Sequence, residues 1–188
     1  MNTSNVTALF CPIADLKTET DYEQLLLKKI RQWILGFMVL LVLSGLTAFP
    51  VQNELNMLVR FYDIFPGFIR FWLLNLNFAI DDVVSKYPYL LYGYDWLAYS
   101  HIIIALFFIG VYRNPIQNAW VLRIGMIACL GIFILATICG QVRGIPFFWT
   151  LIDCSFGFFG IIPLLIVEKL INRLRKTISV TVIDKNQL

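Results

Sequence analysis

Apolar residues form four long runs along the chain, separated by segments that are richer in polar or aromatic side chains. Crossing about 30 Å of hydrocarbon takes roughly 20 predominantly apolar residues in a helix. The four runs meet that requirement, and Pro50 closes the first while Arg113, Asn114 and Pro115 stop the second. The pattern predicts an all-α integral membrane protein with transmembrane helices over about residues 33–50, 96–112, 120–142 and 151–170.

The long segment 51–94 between the first two runs is dense in phenylalanine, tyrosine and tryptophan. Such rings favour the headgroup level of a bilayer. Its most apolar part, residues 68–84, is interrupted by Asn75 and Asn77, which would lie near the bilayer centre in a spanning helix. We therefore expect one or two interfacial helices on the outer surface. The alternative is a fifth span, which would place the two termini on opposite sides of the membrane.

Composition agrees with a bilayer as the main solvent. Hydrophobic residues make up 59% of the 188 positions and charged residues 14%, against about a quarter charged in soluble domains. We expect a single four-helix transmembrane domain over 28–176, between an N-terminal segment 1–27 and a tail 177–188. The N-terminal segment shows no apolar core followed by a cleavage site, so no cleaved signal peptide is predicted.

Lysine and arginine are distributed unevenly around the predicted spans. Four spans place both ends of the chain and the 113–119 turn on one side, which holds eleven of the 15 basic residues; the other side holds Arg60, Arg70, Lys86 and Arg143. Because cytoplasmic loops carry the excess of basic residues, both termini are predicted to be cytoplasmic, in the inner (plasma) membrane.

Every predicted span contributes polar side chains to its outer half. His101, Asp95 and Asp153 are the candidates for acid–base catalysis, because an imidazole and carboxylates can exchange protons near neutral pH. Arg143, Gln141 and Trp149 are the candidates for ligand binding, with Arg143 suited to an anionic group. Residues 143–149 are expected to form a structured lip, since Gly144 permits unusual dihedral angles and Pro146 fixes one.

The same residues also have a purely structural interpretation. Asp95 and Asp153 are predicted at helix N-termini, where a carboxylate is favoured by the helix dipole. Six positions separate Asp95 from His101, about 600° around a helix, so they do not share a face. Gly157 and Gly160 are one turn apart and are predicted to permit close helix packing.

Several classes of chemistry lack the residues that they need. One histidine cannot supply two axial haem ligands, and no metal-binding spacing accompanies it. Cys11, Cys129, Cys139 and Cys154 contain no CxxC pair, which disfavours a thiol relay. The chain has no basic run for nucleic-acid binding. We expect no metal and no cofactor; the expected partners are the lipid bilayer and either another membrane protein or a second copy.

Three stretches carry a resemblance to known sequences: Tyr92-Gly-Tyr-Asp-Trp-Leu-Ala-Tyr-Ser-His101, Arg143-Gly-Ile-Pro146 and Leu151-Ile-Asp-Cys-Ser-Phe-Gly157. They resemble a family of small bacterial multi-span membrane proteins with no assigned function. The resemblance covers about the last half of the chain and implies a bacterial membrane protein, with no activity or site residue to transfer.

Three functions stay open from the sequence. The first is a non-catalytic accessory, assembly or binding protein of the bacterial inner membrane. The second is a membrane-embedded enzyme acting on a lipid or isoprenoid-like substrate at an outward-facing polar pocket. The third is a small oligomeric transporter or channel, although four spans leave little room for a lined pathway.

Overall fold

The computed structural model describes the backbone of residues 4–185 and the side chains of residues 21–179. The described backbone is almost entirely helical and contains no strand, which confirms the all-α prediction. Two short 3-10 turns, Tyr62–Ile64 and Pro88–Leu91, precede the third and fourth helices. The six α-helices are α1 (Ser4–Ala48), α2 (Val51–Arg60), α3 (Gly67–Lys86), α4 (Tyr92–Arg113), α5 (Ala119–Val142) and α6 (Phe147–Lys185).

Four of these helices are long and apolar enough to cross a membrane, which confirms the four-span prediction. The candidate spans are Asp21–Ala48, Pro88–Arg113, Ala119–Val142 and Phe147–Ser179. α3 is not among them; α2 and α3 follow the first span as two helices, a number that agrees with the prediction of one or two helices in this segment. The helices α1 and α6 continue past the apolar runs into the predicted terminal segments 1–27 and 177–188.

The chain divides into two compact units, one containing Met1–Phe37 and Phe107–Leu188 and the other Met38–Leu106. The first unit has the more regular core. Its buried residues on α1 and α6 recur at intervals of three and four, the spacing that keeps one helix face turned toward its neighbours. These residues are Leu26, Ile30, Ile34 and Phe37 on α1, and Leu164, Val167, Ile171 and Leu174 on α6.

Within the first unit, α5 and α6 pack closely because glycine replaces a side chain at their contact. A Cβ atom added to Gly157 would lie 2.7 Å from the carbonyl oxygen of Cys129, and one added to Gly160 would lie 3.2 Å from Cys129 Sγ. The prediction that this glycine pair permits close packing is confirmed. Near the other end of α5, Arg123 Nε lies 3.4 Å from Glu168 Oε1 on α6. The two helices are therefore antiparallel neighbours.

Within the second unit, α2 packs on α3 through both apolar and polar contacts. Leu55 of α2 and Leu73 and Ile80 of α3 are buried. Beside them Gln52 Nε2 donates a hydrogen bond of 2.9 Å to Asp81 Oδ1, and Asn77 Nδ2 donates one of 3.3 Å to Asp81 Oδ2. The polar residues that interrupt the apolar pattern of 68–84 thus join the two loop helices.

The cysteines Cys129, Cys139 and Cys154 are free thiols. The side chain of Cys11 lies outside the described residues, as do those of the outermost parts of the predicted terminal segments.

Candidate functional site

The six predicted site residues are divided between the two units. His101 and Asp95 lie on α4 within the second unit. Gln141 and Arg143 at the end of α5, and Trp149 and Asp153 at the start of α6, lie in the first unit.

The imidazole of His101 is engaged by its own helix. Its Nδ1 lies 2.8 Å from the carbonyl oxygen of Leu97, one turn earlier. Since a carbonyl oxygen only accepts, this contact requires a proton on Nδ1. His101 also faces α1, because a Cβ atom added to Gly45 would lie 3.0 Å from His101 Cβ. Close helix packing and an internal hydrogen bond therefore account for the position of the ring.

Asp95 occupies the first turn of α4, as the helix-terminus interpretation predicts. Its side chain lines a shallow hollow of about 280 Å³ together with Phe49, Tyr92, Trp96 and Tyr99. His101 is not part of that lining. The structure thus gives Asp95 aromatic neighbours within its unit, and no described hydrogen bond or ion pair joins it to His101.

Three of the four aromatic rings of this hollow come from positions 92, 96 and 99, which recur on one face of α4. Tyr92 and Trp96 meet edge to face with ring centroids 5.9 Å apart, and Trp96 and Tyr99 do so at 6.2 Å. All three side chains are at least half exposed. We call this group, with Phe49 and Asp95, the aromatic hollow.

The corner between α5 and α6 is a tight turn held by backbone hydrogen bonds. Gly144 has a φ of 69°, and its N–H donates to Gln141 O while the N–H of Ile145 donates to Gly140 O. These are the two hydrogen bonds of the Schellman motif that ends a helix at a left-handed glycine. Pro146 O then accepts from the N–H groups of Trp149 and Thr150, which begins α6. The prediction of a structured lip with an unusual dihedral angle at Gly144 is confirmed.

The predicted ligand-binding residues at this corner do not form a closed cluster. Gln141 and Arg143 are exposed, and Asp153 and Trp149 are partly buried. Within residues 21–179, Arg143 makes no ion pair with Asp153 or with any other acid. The interpretation of Asp153 as a residue of a helix N-terminus is wrong: α6 begins at Phe147, four residues before the predicted start, so Asp153 lies beyond the first turn.

The small polar residues of the spans bond to their own helices. The hydroxyl groups of Ser100, Thr137 and Ser155 donate to backbone carbonyls three or four residues earlier. This local bonding satisfies a hydroxyl in an apolar setting without a partner helix.

Among the described residues, no group of three or more histidine, cysteine, aspartate or glutamate side chains could hold a metal ion. In the part of the chain that the structure describes, polar side chains line two concave surfaces, the aromatic hollow on α4 and a groove on α1. No protein-family model, no curated protein and no solved structure matches this chain.

Proposed function

We propose that this protein is a non-catalytic binding protein of the bacterial inner membrane, with both termini in the cytoplasm. The orientation rests on the excess of lysine and arginine on the side of the termini, and the bacterial source on the sequence resemblance. In this orientation the aromatic hollow faces outward. Its ligand is the headgroup ammonium of a zwitterionic phospholipid in the outer leaflet.

The observation that carries the proposal is a carboxylate set among exposed aromatic rings. The faces of Trp96, Tyr92 and Tyr99 attract a cation through their quadrupoles, and Asp95 supplies the opposite charge. Aromatic faces beside a carboxylate are suited to a cation, and an ammonium group is a cation of this kind. Phe49 adds an apolar wall against which a lipid backbone can lie.

The binding affinity expected of the hollow is low, which favours an abundant lipid over a scarce soluble molecule as its ligand. A cation–π contact contributes about 0.5–2 kcal/mol, and an exposed ion pair about 0–1 kcal/mol. Contacts with two of the rings and one ion pair together give about 1–5 kcal/mol, a range that includes the about 4 kcal/mol of a millimolar affinity. A bilayer holds its own lipids at the membrane surface in large excess, so such an affinity is sufficient there.

Binding is favoured over acid–base catalysis by the position of His101. Its Nδ1 is committed to Leu97 O, and its ring is not part of the hollow that contains Asp95. A dyad in which Asp95 orients or activates His101 would need the two side chains within hydrogen-bond reach of each other, about 3 Å. Their spacing on one helix places them on different faces.

The test is a titration of the full-length protein in detergent with glycerophosphoethanolamine, followed by tryptophan fluorescence. We expect a saturable change at millimolar concentration that Trp96→Phe and Asp95→Asn each abolish. Asp82→Asn is the matched control, because it removes one exposed acid outside the hollow.

The proposal requires His101→Ala to bind the headgroup as the unchanged protein does. An Asp95→Asn protein that binds normally would refute the ammonium site. Turnover of a lipid extract by the unchanged protein, lost in His101→Ala, would replace the binding function with the enzymatic one.

A further inference from the structure

A second polar feature lies in the first unit, between α1 and the last turn of α4. It is a groove of about 480 Å³ whose lining includes Gln24, Lys28, Arg31, Leu35 and Tyr112. We call it the basic groove. None of its residues was singled out as a site residue from the sequence.

The groove follows one face of α1. Gln24, Lys28, Arg31 and Leu35 are separated by four, three and four positions, so their side chains line up along the helix. The neighbouring face of α1 carries the buried residues Leu26, Ile30 and Ile34. Because that buried face fixes the rotation of α1 in the first unit, the basic face is held toward Tyr112.

Arg31 is positioned by α4 and keeps its charge available. Its Nε donates to Tyr112 O at 3.4 Å, and its guanidinium carbon lies 5.8 Å from the centre of the Tyr112 ring. The two terminal nitrogens of the guanidinium are left to donate to a ligand. Within the described side chains, neither Arg31 nor Lys28 forms an ion pair with an acid, so the groove keeps two uncompensated positive charges.

The lining is mainly polar, with Leu27 among the polar side chains and Gln32 beside Arg31, and it ends on the apolar side chain of Leu35. Gln24, Lys28 and Arg31 lie on the N-terminal side of Leu35, which is half exposed and lies one turn further along the candidate span. Trp33, also exposed, marks the level at which aromatic residues meet the headgroups. Cations at the headgroup level above an apolar wall match a phospholipid, with its anionic head above an acyl chain.

We propose that the basic groove binds the headgroup of an anionic phospholipid of the cytoplasmic leaflet. The phosphate oxygens accept from Arg31 and Lys28, the amide of Gln24 contacts the polar head, and the acyl chain lies along Leu35. Arginine suits this role because its planar fork matches phosphate geometry. This site is distinct from the aromatic hollow, because it lies at the other end of the first span and binds an anionic lipid instead of a zwitterionic one.

The test is native mass spectrometry of the full-length protein in detergent, with phosphatidylglycerol or phosphatidylethanolamine added. A basic residue near the membrane surface adds about 1 kcal/mol of attraction to an anionic lipid, a factor of roughly five. We expect Lys28→Gln or Arg31→Gln to weaken phosphatidylglycerol binding roughly fivefold, and the double variant roughly thirtyfold. Phosphatidylethanolamine binding is expected to stay unchanged in all of them.

Lys29→Gln is the matched control, because it removes the same charge from the adjacent position of α1 outside the groove. Arg31→Lys keeps the charge and loses the fork, so it is expected to bind with an intermediate affinity. Melting temperatures in detergent identify any variant that fails to fold; these side chains are exposed, and no loss is expected.

Equal losses in Lys29→Gln and Lys28→Gln would refute the groove and leave only a diffuse attraction to the charged surface. Release of phosphatidylglycerol by inorganic phosphate at a similar concentration would also refute it, because the apolar wall would then contribute nothing. Both outcomes are independent of the Asp95 titration, so the two proposals fail separately.

Discussion

The contact between α5 and α6 at Gly157 provides the most direct test of the packing described here. Replacing Gly157 by alanine adds a single methyl group, at a point 2.7 Å from Cys129 O and 3.1 Å from a ring carbon of Phe133. An ordinary contact between carbon and a carbonyl oxygen is about 3.3–3.6 Å. The two helices must therefore separate by about 0.6 Å or more, because the obstructing oxygen belongs to the backbone and cannot rotate away.

Overpacking of this kind costs about 1–3 kcal/mol. For a chain of this length 1 kcal/mol shifts the melting temperature by about 2–4 °C. We therefore expect Gly157→Ala to lower the apparent melting temperature in detergent by about 2–12 °C. The measurement is the loss of the monodisperse peak in size-exclusion chromatography after heating.

Gly131→Ala is the matched control on α5, since a Cβ atom there has nothing within 4 Å. Alanine is the better helix former by about 1 kcal/mol, so this variant is expected to melt at the same or a slightly higher temperature. If Gly157→Ala and Gly131→Ala melted alike, the close approach of α5 and α6 would be refuted.

Three further predictions concern the second unit and the orientation of the chain. Gly45→Ala is expected to destabilise the protein by about 1–3 kcal/mol, since its methyl group would meet a backbone oxygen of α4 at 2.7 Å; Gly36→Ala, with open space around it, is the control, and equal melting of the two would contradict the contact. Asp81→Ala leaves Gln52 and Asn77 without their shared acceptor, so hydrogen exchange in α2 and α3 should accelerate about tenfold or more, for a loss of about 1.5–3 kcal/mol. Asp82→Ala removes an exposed acid whose ion pair with Lys86 contributes little, and exchange as fast as in Asp81→Ala would argue against the α2–α3 contact. A fluorescent protein that folds only in the cytoplasm should be active when fused at either terminus, and alkaline phosphatase should be active when inserted between α3 and α4; the reverse pattern would overturn the orientation.

Hydropathy alone was sufficient to place the four spans, because a helix that crosses a bilayer must be apolar along the length that lies in the hydrocarbon. The continuation of α1 and α6 beyond the apolar runs was not predicted. Its signal was present in the sequence as the spacing of Leu26, Ile30 and Ile34, which indicates a helix with one buried face. Mean hydropathy over a stretch of sequence does not detect this spacing where charged residues lie between the apolar ones.

The candidate site was harder to predict because it depends on which helices meet. Sequence spacing correctly separated Asp95 from His101, since both lie on one helix. It could not show that Asp81 would find Gln52 on another helix, or that Arg31 would rest against Tyr112, which is 81 positions away. From the sequence, the basic residues of α1 indicate only the orientation of the chain in the membrane. That they line a groove is seen only when Tyr112 of α4 is placed beside them.

The Schellman corner at Gly144 also bears on how the chain enters the membrane during synthesis. Only four residues, 143–146, separate α5 from α6, too few for either helix to cross without the other crossing back. The pair must therefore be inserted as one hairpin, and in the predicted orientation its tip carries a single charged group, Arg143, across the bilayer. Because the two crossings are inseparable, a failure at this step would leave both helices outside the bilayer together.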